Sequence, residues 1–141
     1  MKVVVSACLL GENCKYNGGN NKSLPVLEYI RGKEIIPVCP EVLAGLGTPR
    51  VPIENRGDRV VTREGKDVTA ALEGAVDQIL RQLAGEDVEC VILKSRSPTC
   101  GVKQIYDGSF TGTLVDGMGV LARALREAGY RVIDAEDVIS I

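Results

Sequence analysis

The sequence predicts a protein of the α/β class, with an open parallel sheet and helices packed on its faces. Four short runs are rich in Val and Ile, as strands buried on both faces of a parallel sheet are. They are residues 3–7, 35–38, 88–93 and 130–135. Helical patterns lie between them, and strands that alternate with helices favour right-handed crossovers into one sheet.

Two helices are predicted by apolar periodicity. Over residues 68–83 apolar side chains recur every three or four positions, and Asp67 stands where it could cap the helix. A second pattern of this kind covers residues 118–128 and stops at Gly129. Glycine adopts the left-handed conformation that closes many helices, so this helix is expected to end there.

The remaining segments are shorter. Helices are expected at residues 24–30 and directly after Cys39, and residues 59–66 predict a small hairpin or an irregular excursion. No internal repeat or linker interrupts the pattern. Residues 1–141 are therefore expected to form one Rossmann-like domain, which is large enough to bury a core of its own.

Composition excludes several classes of function. The 141 residues carry a formal net charge of −2, whereas a nucleic-acid-coating protein would show a basic surplus. One Phe, four Tyr and no Trp leave few rings for stacking on bases. There is no His, so neither a Ser-His-Asp triad nor a histidine metal ligand is available. Chemistry must come from Cys, Glu, Asp, Lys, Ser or a bound cofactor.

The N-terminus does not predict export. Residues 5–8 have the small side chains of a bacterial lipoprotein cleavage site, but only three valines separate Lys2 from Ser6. A secretory signal needs an apolar stretch of roughly 7–15 residues before the cleavage point. No later run approaches the ~20 apolar residues of a membrane span. The protein is expected to be cytoplasmic, with no membrane partner.

Five cysteines are an odd number in a chain without an export signal, which favours free thiols or metal ligands over a disulfide framework. Cys8, Cys39 and Cys100 each follow a predicted strand. Ligands of open α/β sheets bind beyond the carboxyl ends of the strands, so these three thiols are expected to converge there. Cys90 lies inside a strand and is expected to be a small buried residue.

The metal that such thiols could hold is limited by their chemistry. Without histidine they suit zinc, copper(I) or an iron–sulfur cluster. Structural zinc is held by four ligands, so three thiolates with an open position fit a catalytic iron–sulfur cluster better. The alternative is that each cysteine is merely a small buried residue at a loop. Cys14 could be a fourth ligand, a redox partner or a bystander.

Several ordered motifs resemble the DUF523 family, whose characterised members are thiouracil desulfurases. They are SACLLG at 6–11, KYNGG at 15–19, VCPE at 38–41, GLGTPRVPIE at 45–54 and KSRSPTCG at 94–101. The resemblance covers essentially the whole chain. It implies a [4Fe–4S] cluster with one open iron, held by Cys8, Cys39 and Cys100. It also implies that Glu41 is the acidic catalytic residue and Ser97 the catalytic serine.

The resemblance further implies a non-redox desulfuration that converts a thiolated pyrimidine to its oxo form and releases sulfide. The extra C-terminal domain that some relatives use for tRNA substrates is not seen, so the expected substrates are small: 2-thiouracil, 4-thiouridine or its monophosphate. Each catalytic residue also has a structural interpretation. Glu41 follows Pro40 as a helix first-turn glutamate, and Ser97 precedes a proline as turn serines often do.

Four further residues are candidates for substrate binding. Arg50 and Lys94 could meet a phosphate or a ring carbonyl, with Glu54 orienting Arg50. Tyr16 offers a flat ring for a base, and Asn17 lies in a glycine-rich loop that could supply backbone donors to an anion. Ordinary surface charges and a tight turn would also account for these residues.

Two other functions remain open at this point. The same cysteines would suit a non-enzymatic module that binds a cluster or zinc and senses metal or redox state. The fold would also suit an α/β domain that binds a nucleotide without reacting.

Overall fold

The computed structural model describes residues 1–140, and for residues 139 and 140 the main chain alone. In chain order the elements are β1 (Lys2–Ser6), α1 (Leu24–Tyr29), β2 (Glu34–Val38), α2 (Pro40–Leu43), β3 (Ile53–Arg56), β4 (Arg59–Thr62), α3 (Thr69–Leu83), β5 (Val88–Leu93), β6 (Gln104–Tyr106), β7 (Leu114–Asp116), α4 (Val120–Glu127) and β8 (Val132–Asp134). Short 3₁₀ turns follow β1 at Ala7–Leu10 and β8 at Ala135–Ser140.

The predicted parallel sheet is confirmed. Its four strands run in the order β2-β1-β5-β8, and every neighbouring pair is parallel. Val3 to Val5 of β1 are fully buried because this strand has a partner on each side and helices on both faces. All four predicted apolar runs coincide with these strands to within one or two residues at each end.

The core lies on both faces of the sheet. On one face, side chains of α3 and α4, among them Ile79 and Leu121, pack on Val4 and Val91 of the strands. On the other face, Val26 of α1 packs on the side chains of β1 and β5 that point to that face, and on the turn after β8. Each fully buried aliphatic side chain contributes about 1.5–3 kcal/mol, so the two clusters hold the strand ends firmly in place.

The two long helices form where the periodicity predicts them, with small differences at their ends. α3 begins at Thr69, after Val68, and the Oδ1 atom of Asp67 accepts a hydrogen bond from the Thr69 amide at 2.9 Å. α4 begins at Val120, later than predicted, because the preceding residue Gly119 has extended dihedral angles. Gly129 follows the end of α4 with φ at 95°, the left-handed conformation expected of it.

Two small antiparallel pairs lie outside the main sheet. Residues 59–62 form a strand that pairs with the preceding β3 through a turn at Gly57. The chain then turns back at Gly65, where Val61 pairs antiparallel with Asp67, so the small hairpin predicted over residues 59–66 is present as a short excursion. The β6–β7 pair was not predicted, because strands of three residues are too short to display alternation. None of the helices within residues 1–140 is both long enough and apolar enough to cross a membrane.

Candidate active site

A cavity of about 590 Å³ opens beyond the carboxyl ends of β1, β2 and β5. Its wall is built from the loops that follow these three adjacent strands, with further side chains from the segments around β3 and β4. This is the edge of a parallel sheet where strand ends leave main-chain groups and side chains free to face a ligand.

Four of the five cysteines line this cavity. Cys8 lies in the 3₁₀ turn after β1, Cys39 directly precedes α2, and Cys100 lies in the loop after β5. The structure thus brings together the three proposed ligand thiols. Cys14 joins them, and its side chain makes a hydrogen bond with that of Cys39. Cys90 is fully buried in β5 instead, with its Sγ 3.8 Å from the hydroxyl of Tyr29.

Burial favours the protonated form of three of these thiols by raising their pKa. Burial raises the pKa of Cys8, and it raises the pKa of Cys100 to about 12. Burial and the neighbouring Cys39 together raise the pKa of Cys14 to about 12. A metal group that binds here must therefore displace protons, as metals do when they bind thiolates.

The chemistry of the thiol set suits an iron–sulfur cluster. Within residues 1–140 no group of three or more Cys, Asp and Glu side chains is arranged to hold one metal ion. A zinc ion needs all its thiolate sulfurs at about 2.3 Å. An iron–sulfur cluster takes each thiolate on a different iron, so its ligands stand further apart. Thiols on three separate loops line the cavity, and no histidine is available in the chain to replace one of them.

The loop at residues 95–101, called the Cys100 loop below, is folded around Ser97. The Oγ atom of Ser97 accepts hydrogen bonds from the amides of Thr99 at 3.2 Å and Cys100 at 3.1 Å. The Ser97 carbonyl accepts a third from the Gly101 amide at 2.8 Å. The turn role that the sequence allowed for this serine is therefore present, and the residue also lines the cavity.

The N-terminal end of α4 holds the Cys100 loop from the other side. The amides of residues 119–122 donate to the carbonyls of Pro98, Thr99 and Gly101 at 2.8–3.2 Å. A Cβ atom on Gly119 would lie only 2.4 Å from the carbonyl carbon of Thr99. Only glycine permits this close approach, and the amides that a helix leaves free at its start are satisfied by the loop.

Glu41 lies in the first turn of α2, and its side chain is 14 % exposed. Its Oε2 atom accepts a hydrogen bond from the Thr99 hydroxyl at 3.2 Å, and its Oε1 atom is 3.6 Å from Nη2 of Arg50. Burial raises the pKa of the Glu41 carboxyl, while Arg50 and Thr99 oppose that rise. The result is a carboxylate inside the cavity with an increased affinity for a proton.

Arg50 has a different set of partners from the one predicted. Its guanidinium donates to the carbonyl of Cys14 at 2.9 Å and to that of Gly47 at 2.9 Å, so it joins two loops. Glu54 does not orient it, because Glu54 Oε1 accepts from the amide of Gly108 at 3.0 Å. The Arg50 side chain is 6 % exposed, and its Nε is buried with no partner among the described residues. A buried donor of this kind fits a bound anionic group.

Comparison with known proteins identifies the chain. The sequence profile described as 2-thiouracil desulfurase matches residues 3–137. The chain belongs to that family. The resemblance drawn from the motifs is therefore confirmed.

Two relatives of the family are similar over nearly their whole length. The uncharacterized protein YbbK of Bacillus subtilis (strain 168) is 38 % identical, with 99 % of each chain covered. A solved structure titled "[4Fe-4S]-dependent thiouracil desulfidase TudS (DUF523Vcz)" superposes with a TM-score of 0.89 at 36 % identity, covering 96 % of this chain and 91 % of the other. The fold predicted from the sequence is thereby confirmed a second time.

The residues proposed to bind substrate in this family member are only partly brought together. Lys94 lies in the cavity wall, where its Nζ donates to the carbonyl and hydroxyl oxygens of Ser95, and burial lowers its pKa. Tyr16 also lines the cavity and is 42 % exposed. Asn17 is not in the cavity wall. Its Oδ1 accepts from the Gly19 amide at 2.9 Å, so this side chain closes the tight turn.

Sequence reasoning missed three residues of the site. Thr99 is fully buried and contacts both Ser97 and Glu41. Its position beside Cys100 was the available signal. Asn21 makes a side-chain hydrogen bond that lowers the pKa of the Cys8 thiol against the effect of burial. Arg63 lies in the cavity wall with its guanidinium 5.7 Å from the ring centre of Phe110. No local pattern marks either residue, because the chain path that brings each to the cavity depends on distant contacts.

Proposed function

We propose that this protein is an iron–sulfur-dependent desulfidase of thiolated pyrimidines. It would convert 2-thiouracil, 4-thiouridine or its monophosphate to the oxo form and release sulfide, with no net oxidation or reduction. The observation that carries the proposal is that thiols from three separate loops line one cavity together with the largely buried carboxylate of Glu41. Family membership and the similarity to a [4Fe–4S]-dependent thiouracil desulfidase support it.

The residues that would hold the cluster are Cys8, Cys39 and Cys100, which leaves one iron without a protein ligand. When bound, the cluster supplies a Lewis-acidic iron that accepts the soft ring sulfur and makes the ring carbon more electrophilic. Cys14 is left out of the ligand set, although it lies beside Cys39, because a fourth thiolate would occupy the position that the substrate needs.

Glu41 is proposed to accept a proton from the water that attacks the ring carbon. Its burial favours proton uptake, and its place in the cavity wall gives it access to a bound ring. Ser97 is proposed to donate a hydrogen bond to the substrate. Both acceptor positions of its hydroxyl are taken by the amides of Thr99 and Cys100, so the hydroxyl acts as a donor rather than as a base.

The cavity also suits substrates larger than a free base. Its volume of about 590 Å³ falls within the roughly 300–1,000 Å³ of sites for drug-sized ligands, which leaves room for a ribose and a phosphate. Lys94 and Arg63 lie in its wall, and neither forms an ion pair with a carboxylate among the described residues. These cations favour a nucleoside monophosphate over the uncharged base.

The test is an anaerobic assay. The purified protein is reconstituted with iron and sulfide, desalted, and incubated separately with 2-thiouracil, 4-thiouridine and 4-thiouridine monophosphate. Released sulfide and the oxo product are quantified. The cluster-free protein and reconstituted Cys100→Ala serve as controls. We expect equal amounts of sulfide and oxo product from the loaded protein and none from the controls. Iron bound with no sulfide from any of the three compounds would instead support a non-enzymatic cluster-binding module.

A further inference from the structure

A second groove lies between α3, α4 and the β3–β4 pair, and it shares no residue with the wall of the cysteine-lined cavity. Its volume is about 450 Å³. Val76, Ile105 and Met118 give part of its wall an apolar surface. The proposed desulfidase reaction makes no use of this groove.

Asn55 supplies the observation that points to a ligand there. This side chain lines the groove, although the residue is only 7 % exposed. Its Nδ2 atom donates to the Pro98 carbonyl of the Cys100 loop at 3.3 Å, which fixes the orientation of the amide. Its Oδ1 atom is buried and has no hydrogen-bond partner among the described residues. Buried acceptors are rarely left unsatisfied, so we expect a donor in the groove to complete this one.

The charges of the groove decide the sign of that donor. Four carboxylates in its wall form no ion pair within residues 1–140, namely those of Asp58, Glu73, Asp77 and Glu127. The wall also contains two guanidiniums, of Arg59 and Arg123. Four carboxylates against two guanidiniums leave two negative charges in excess, so the groove favours a cation.

The carboxylates are too dispersed for a single metal ion. Within residues 1–140 no group of three or more Asp, Glu and Cys side chains is arranged to hold one. Glu73 and Asp77 lie one turn apart on α3, whereas Asp58 lies in the β3–β4 turn and Glu127 is the last residue of α4. A ligand with several charges along an apolar chain matches this distribution, because its methylene groups would cover the apolar part of the wall.

We propose that this groove is a binding site for an aliphatic amine with two or more ammonium groups. One ammonium group donates to Oδ1 of Asn55, and another lies beside Glu73 and Asp77 on α3. Because Oδ1 is buried, the groove must open slightly for the donor to reach it. The inference does not rest on the proposed function, because the two sites have separate walls.

The experiment is a calorimetric titration of the full chain, both cluster-free and reconstituted, with putrescine, cadaverine and spermidine. Butylamine has one charge on a similar chain, magnesium chloride has charge without an alkyl chain, and butanediol has the chain without charge. We expect saturable binding of at least one of the three amines at one site per chain, tighter than that of butylamine and weaker at high salt. Magnesium and butanediol at the same concentration should give no saturable heat.

Charge variants locate the site. Glu73→Gln and Asp77→Asn should each weaken amine binding by about 1.5–5-fold, as expected of an exposed ion pair, and Arg123→Gln should strengthen it by a similar factor. Glu64→Gln is the matched control, because Glu64 is exposed and lies outside the groove. Asn55→Leu should weaken binding by about 10–100-fold through the lost hydrogen bond to a charged group. If that variant does not fold, the charge variants still decide.

The side-chain amide of Asn55 gives a second, direct readout. In ¹⁵N NMR spectra of the cluster-free protein its signals should shift on addition of the amine, with the dissociation constant found by calorimetry. Unmoved Asn55 signals, or no saturable binding of any of the three amines, would overturn the proposal. Equal weakening by Glu64→Gln and Glu73→Gln would also overturn it, because it would indicate an unspecific counterion effect. None of these measurements involves sulfide release, so failure of the proposed function would leave them unaffected.

Discussion

Replacement of Gly119 by alanine tests whether the start of α4 fixes the position of the Cys100 loop. The added Cβ would meet the carbonyl carbon of Thr99 at 2.4 Å, its oxygen at 2.6 Å and the amide nitrogen of Cys100 at 2.8 Å. All three are backbone atoms and cannot rotate away. The helix and the loop must therefore separate by roughly 1 Å before ordinary packing distances are restored.

The expected cost follows from the hydrogen bonds that this separation weakens. Four amides of residues 119–122 donate to the loop, and each bond contributes about 0.5–1.5 kcal/mol net. Loss of two to four of them lowers the free energy of unfolding by about 1–6 kcal/mol. For a chain of this size that corresponds to a Tm lower by about 3–25 °C. A displacement of about 1 Å at the site is also expected to lower turnover by about 10²-fold.

Thermal unfolding of the cluster-free variant and the iron content of the reconstituted variant are the two measurements. Gly74→Ala is the matched control, because Gly74 lies inside α3 with open space around the position of its Cβ. That change should raise stability by up to about 1 kcal/mol through helix propensity alone. If Gly119→Ala left both Tm and iron content at wild-type values, the conclusion that the start of α4 holds the Cys100 loop in place would be refuted.

The remaining predictions concern the thiols and two carboxylates. Replacement of Cys8, Cys39 or Cys100 by alanine should remove most of the bound iron, whereas Cys90→Ala should retain it. Equal losses of iron in all four variants would refute the division into ligand and structural cysteines. Cys14→Ala should keep most of the iron and measurable turnover, and a structure of active enzyme with the Cys14 sulfur on the cluster would contradict it. Glu41→Gln should keep the iron and bind substrate but lose about 10²–10⁴ in kcat, as an amide accepts no proton from water; near-normal turnover would return Glu41 to a structural role. The pKa of Asp67 is lowered to about 2 by hydrogen bonds with Thr69 and Arg59. Its contribution to stability is therefore complete above about pH 4 and is lost as the pH falls towards 2. The difference in Tm between wild type and Asp67→Asn should therefore shrink as the pH falls from about 4 to 2. A difference that persisted unchanged at pH 2 would contradict this role of Asp67.

The sheet and the place of the site were predictable because each has a local signature. Buried parallel strands are continuous apolar runs, and α3 shows its buried face in the spacing of its side chains. Once the strands are parallel, their carboxyl ends share an edge, so thiols that follow β1, β2 and β5 must approach one another. This inference requires only the order and direction of the strands, and no knowledge of side-chain conformation.

The partners of individual side chains were not predictable, because they depend on where the loops run. Arg50 reaches Cys14 and Glu41 because its own amide is held by the carbonyl of Tyr16, a contact between distant segments. Sequence proximity had suggested Glu54 instead. Asn17 was predicted to take part in substrate binding because its loop is rich in glycine, but its side chain accepts a hydrogen bond within that loop and closes the turn. Interactions across loops are set by the fold, and short-range patterns do not encode them.

The origin of the proposed ligand thiols also fixes when a cluster can be built during synthesis of the protein. The thiols come from loops after β1, β2 and β5, and β1 lies between the other two in the sheet. Residues as late as Cys100 must leave the ribosome before the third thiol exists, and β5 must pair with β1 before that thiol is in place. Shorter nascent chains would offer iron only incomplete sites. With this proposed ligand set, insertion of a cluster would be a late step in biogenesis, because it would require chains whose central strands have already paired.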